Sequence, residues 1–108
     1  MHDALKRRCL YSWIGFPTSA LEIEVVTRKL PQVSKVLVEK VVGAVQNMRE
    51  LDLAKAPGVA ETIDWVESID ALGVDDLTPD NSLATLGSII KDRDDLELVS
   101  QSIVEILN

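Results

Sequence analysis

Eight consecutive residues, Cys9-Leu10-Tyr11-Ser12-Trp13-Ile14-Gly15-Phe16, hold three of the chain's four aromatic side chains and are closed by Pro17. Successive side chains of an extended backbone point to opposite faces. Leu10, Ile14 and Phe16 therefore fall on one face, and Cys9, Tyr11 and Trp13 on the other. A strand apolar on both faces needs cover on both, as in the interior of a layered sheet. Nothing downstream reads as a clear partner strand. The run predicts one short β-strand with no sheet to join, and a chain of 108 residues cut from something larger.

After Pro17 the apolar period changes to that of helices. Ser19 with Glu22 three residues later is a capping-box pattern that opens a helix over Ala20–Leu30, with Ile23, Val26 and Leu30 as its stripe and Leu21 and Val25 beside them. The alternation Leu21, Ile23, Val25 also fits a strand there. Pro31 ends that segment, and Ser34 caps a longer helix with Leu37, Val41, Ala44, Val45, Met48 and Leu51 at helical spacing. Leu51–Pro57 reads as a loop, and Gly58 precedes a third helix carrying Trp65, Ile69 and Leu72, stopped by Gly73. Thr78-Pro79-Asp80 combines a cap, a proline at the first helical position and an acid in the first turn. Leu83, Leu86, Ile89 and Ile90 are expected to face the core from the helix it opens. Asp92, with Asp94 and Asp95, opens a last helix carrying Leu96, Val99, Ile103 and Ile106. The fold expected is mainly α, a compact bundle of about five helices over residues 17–108, with residues 1–16 set apart as the segment holding the orphan strand.

The charge divides along the chain. Residues 1–56 balance at +3 and residues 57–108 at −10, giving the net −7. Nucleic-acid binding draws on lysines and arginines that neutralise phosphates, so the acidic half is a poor reader of DNA or RNA, and no nucleic-acid partner is expected. No apolar run approaches the roughly 18 residues of a membrane span, so no membrane partner is expected either. Cys9 is the only cysteine, which excludes an intrachain disulfide and suits a reducing compartment such as the cytoplasm.

Little in the sequence promises chemistry. The glycines are scattered, with no phosphate-cradling Gly-x-x-x-x-Gly-Lys-Ser/Thr run. His2 is the single histidine, so neither a Ser-His-Asp nor a Cys-His arrangement is expected, and no metal site is expected. Glu61/Asp64 and Glu67/Asp70 share a helix face and read as a solvated side. Asn81-Ser82-Leu83 approximates the Asp-Ser-Leu setting in which acyl-carrier proteins attach phosphopantetheine, with Ser82 as acceptor, but asparagine replaces the aspartate. A third reading is a free-standing helical interaction module, dimeric through residues 9–16, since an unpaired apolar strand edge invites pairing.

The order of features carries a family resemblance. Asp3-Ala4-Leu5-Lys6-Arg7-Arg8-Cys9-Leu10-Tyr11, followed by Trp13-Ile14-Gly15-Phe16-Pro17, resembles the end of the nucleotide-binding core of a MoxR-type AAA+ ATPase. The branch is the CoxD-like group associated with maturation of carbon monoxide dehydrogenase-like enzymes. Leu51 to Trp65 and Ala84 to Lys91 are similar to the same branch. The resemblance implies that residues 1–16 are a remnant of the core and residues 17–108 its helical lid. It implies that Arg8, with Arg7 beside it, is the arginine finger that reaches the γ-phosphate of ATP, bound with Mg2+, on a neighbouring subunit. A permanently charged, bidentate donor suits the charge spread over a transferred phosphoryl group. The implied partners are the missing core, sister subunits and a von Willebrand A-domain protein. The phosphate-binding and metal-holding motifs of such ATPases precede the matching region, so no hydrolysis is expected of these residues alone. The family's lid arginine corresponds to the stretch Gly58-Val59-Ala60-Glu61-Thr62, which contains none. Gly58, Glu61 and Thr62 are then the implied nucleotide-facing positions; either the branch dispenses with a lid arginine, or Arg28, Lys29 or Lys55 approaches from elsewhere.

Overall fold

A computed structural model of the chain describes residues 17–74 and 76–107. The strand expected at residues 9–16 and the Arg7-Arg8 pair lie outside them. The described residues form six α-helices and no strand: α1 Ser19–Lys29, α2 Lys35–Arg49, α3 Val59–Ala71, α4 Pro79–Thr85, α5 Arg93–Gln101 and α6 Ile103–Leu107. A 3₁₀ turn, Leu86–Ser88, follows α4 directly. The mainly α bundle expected from the spacing is what the described residues fold into.

α2 is the central element. It packs on α1, α3 and α6, while α1 also touches α3, and α4 bridges α3 to α6. Two stripes of α2 make this possible. Leu37, Val38, Val41, Val42, Ala44, Val45 and Met48 are all buried, covering about half the helix circumference, as a helix enclosed by three neighbours requires. Trp65, Val66 and Ile69 of α3 face them with no exposed surface, and Leu86, Ile89, Val99, Ile103 and Ile106 close the other side. Each fully buried side chain of this size contributes about 1.5–3 kcal/mol. The Trp65 indole N–H is not left orphaned in that core: it donates to Thr85 Oγ1 at 2.7 Å.

Several local expectations are corrected. Thr18, not Ser19, caps α1, its hydroxyl accepting from Leu21 N at 3.3 Å. Glu22 is therefore released from the capping role and turned inward, while Ile23 and Val25 are only half-buried and Leu21 is half-exposed. Ser34 precedes α2 without a side-chain cap bond. Leu72 and Leu83 are exposed. Leu72 sits past the last turn of α3, where Gly73 adopts φ +77° and turns the chain away. Leu83 misses the core because the inward face of α4 is the one that carries Ser82 and Thr85, and the helix itself ends at Thr85 instead of running on to Ile90. Ser82 and Thr85 face inward from α4, and the 3₁₀ turn that follows continues that face with Leu86. The last expected helix is two, divided at Ser102.

Candidate functional site

The polar interior of the bundle gathers at one end, where the start of α1, the last turn of α2 and the start of α3 meet. Glu22 has no exposed surface and the Arg49 side chain is 7% exposed. The guanidinium grips the carboxylate with both terminal nitrogens, Nη1 to Oε1 at 2.8 Å and Nη2 to Oε2 at 2.7 Å. Thr62 Oγ1 donates to Glu22 Oε2 at 2.7 Å, and Gln46 Nε2 donates to Oε1 at 3.0 Å. Arg49 Nε is used as well, donating to the Pro57 carbonyl at 2.8 Å. Burial pushes the Glu22 carboxyl up. The Arg49 and Thr62 hydrogen bonds, the Arg49 charge and the Gln46 amide outweigh it, and the group is held below the usual carboxylate range.

This cluster fixes the loop before α3 from one side, and Asp95 fixes it from the other. Asp92 caps α5 by accepting from Asp95 N at 3.0 Å. The buried Asp95 carboxylate then accepts the backbone N–H groups of Ala54 and Lys55, each at 2.8 Å. The connection over residues 51–57, without a helix of its own, is thereby held at Ala54, Lys55 and Pro57. It carries the exposed Lys55 to the start of α3.

The three positions singled out in this stretch all lie at that end. Gly58 precedes α3 with extended backbone, and its N–H donates to Glu61 Oε1 at 2.8 Å. A carboxylate there also complements the positive end of the helix dipole. Thr62 is fully buried and shared between Glu22 and the Gly58 carbonyl. Glu61 and Thr62 thus have internal partners, and contact with a nucleotide through these side chains would break them. Of the alternative cations, Arg28 is exposed and paired with Glu24 at 2.7 Å, and Lys29 is exposed at the far end of α1. Lys55 alone of the three stands at the start of α3. Arg7 and Arg8 lie outside the described residues, but the chain that carries them joins the bundle here. The Pro17 carbonyl is 3.5 Å from Gln46 Nε2, one residue of the Glu22 cluster.

The serine of the carrier-protein reading is elsewhere and is enclosed. Ser82 is fully buried in α4, and its hydroxyl offers no surface to a transferase. Among the described residues, no group of three or more histidines, cysteines, aspartates or glutamates is placed to hold a metal ion. No described helix is long and apolar enough to cross a membrane.

Sequence reasoning missed Glu22, Arg49, Thr62 and Asp95 as interior groups. A signal for three of them exists. Glu22 is four residues before buried Val26, Arg49 four after buried Val45, and Thr62 four before buried Val66. Each helix in contact at this end therefore places a polar residue on its own core stripe, one acid, one base and one hydroxyl among them. No protein family, no curated protein and no solved structure matches the chain.

Proposed function

We propose that the chain is the helical lid of a MoxR-type AAA+ ATPase, preceded by a short remnant of the nucleotide-binding core in residues 1–16. The reading begins from the resemblance of Asp3–Tyr11, Trp13–Pro17 and Leu51–Trp65 to that family. The observation that supports it is a juxtaposition. The point where the segment carrying Arg7 and Arg8 joins the bundle, and the start of α3, meet at one end, at the Glu22–Arg49–Thr62 cluster.

In this reading Arg8, with Arg7 as its neighbour, reaches the phosphates of ATP with Mg2+ on an adjacent subunit. Lys55, held in place by the Asp95 clamp on its backbone N–H, supplies the lid's cation in place of the arginine that Gly58–Thr62 lacks. Arg49 is not free for that task, because it is consumed by Glu22 and Pro57. The lid closes as one body, since its first three helices are tied by buried polar bonds. Its partners are the core, sister subunits and a von Willebrand A-domain protein, in the service of metalloenzyme maturation.

The test is made in the assembled ATPase, with hydrolysis and nucleotide binding measured side by side. Arg8→Ala is expected to lower hydrolysis by about 10³-fold or more, with ATP affinity retained. Near-normal hydrolysis in that variant would remove the finger assignment.

A further inference from the structure

Among the described residues, α5 is the helix that packs extensively on no other helix but its sequence neighbour, α6. It buries Asp95 and Val99, with Leu96 partly covered. The loop over residues 51–57 is seated as lightly: Leu51 and Leu53 reach the core but are only partly buried, and the side chains of Ala54 and Lys55 stand in water. The Asp95 carboxylate joins these segments, with Oδ1 on the Ala54 N–H and Oδ2 on the Lys55 N–H. Neither side of that contact can leave alone. If α5 moved away with the loop in place, paired N–H groups would lose their acceptor. If the loop moved away, a carboxylate that is 4% exposed would be stranded.

The two segments also have firm limits. Arg49 Nε holds the Pro57 carbonyl and so keeps the start of α3 with the body of the bundle. On the other side the helix breaks at Ser102, beyond which Ile103 and Ile106 are buried in α6. Ahead of α5, Ile89 and Ile90 are buried before the exposed Lys91.

We propose that residues 51–55 and α5 form a latch, a single unit that opens from a bundle that stays closed, with Asp95 as its catch. Local opening of this kind is expected where few apolar side chains hold a segment. It frees Lys55 and bares Leu51, Leu53, Leu96 and Val99 together. A partner that binds one state better than the other sets how firmly the loop before α3 is held. The latch rests on contacts within the chain and is independent of the lid reading.

Native-state hydrogen exchange of the full chain tests it. The amides of Ala54 and Lys55, though outside any helix, are expected to be protected and to share one opening constant with Leu98 and Val99 of α5. That constant is expected to exceed the one for Val41, Val42 and Val45 of α2. Asp95→Asn puts an amide N–H2 where an acceptor is required, and the whole latch group is expected to exchange about tenfold faster or more. Asp92→Ala is milder: it removes the cap of α5, and Asp92 bonds to neither Ala54 nor Lys55. It is expected to speed the same group several-fold, Ala54 and Lys55 included. Val38→Ala, near the start of α2, is expected to speed the slowest amides of α2 and leave the latch group unmoved. Ala54 and Lys55 unchanged by Asp92→Ala would overturn the latch. So would a latch group that follows Val38→Ala, because it would then open only with the whole fold.

Discussion

Among the described residues, two ion pairs bridge distant parts of the sequence, and they differ in nearly everything but charge. Glu22 and Arg49 are enclosed, bidentate and joined by Thr62 and Gln46. Lys40 and Asp76 meet in water, with side chains 47% and 60% exposed. In the first pair each charge has lost its hydration, so each partner is indispensable to the other. In the second, water can replace either partner at once. Position decides this: the start of α1 is pressed between two other helices, whereas Asp76 lies on a turn at the surface. An interaction of identical type is therefore a fixture of the fold in one place and a surface detail in the other.

The largest expected effect follows from breaking the buried pair on one side. Glu22→Ala or Arg49→Met alone strands a buried charge and is expected to cost about 3–5 kcal/mol, read from urea denaturation midpoints. Replacing both at once, as Glu22→Leu with Arg49→Met, is expected to recover much of that loss, because no unpaired charge remains. Losses that simply add would show that the two side chains are not coupled, and the contrast with the surface pair would fail.

A second effect is in the pH dependence. The folded Glu22 carboxyl titrates below its unfolded value of about 4.3, so the unfolded chain takes up the proton first. The stability it contributes is complete above that unfolded value and is lost as pH falls through the folded one. Denaturation midpoints measured downward from pH 5 are expected to fall more steeply in the wild type than in the double variant that combines Glu22→Leu with Arg49→Met. Equal slopes would remove Glu22 as the source. The smallest effect is at the surface: Asp76→Asn is expected to leave the midpoint at neutral pH unmoved, although the carboxyl is held low by Lys40 and by the Leu77 N–H. A clear loss there would blur the comparison.

The helices are more legible in the sequence than the bonds that join them. The start at Thr78-Pro79-Asp80, the stop at Gly73 and the apolar stripe of α2 are written in single residues whose backbone preferences act locally, and all appear in the structure. Glu22 is misread because its spacing from Ser19 satisfies a local capping rule, and only the arrival of Arg49 from 27 residues away shows that it belongs inside. Asp95 is misread in the same way: an acid in a first turn is locally sufficient, while its two bonds to Ala54 and Lys55 cross about 40 residues. Leu83 fails for another reason: the inward face of α4 carries two small polar residues, Ser82 and Thr85, the second engaged by the Trp65 indole. Positions 58, 61 and 62 stand out in the sequence as a group, but their internal bonding depends on partners in other helices.

The functional account depends on which end of the bundle meets the nucleotide, and hydrogen exchange of the intact, assembled ATPase measures that directly. With ATP bound, the account predicts slowed exchange at the backbone amides of Lys55 and of residues 58–62. It predicts little change at the opposite end of α3, from Leu72 to Leu77. Slowing confined to that opposite end, or none at residues 55–62, would contradict it.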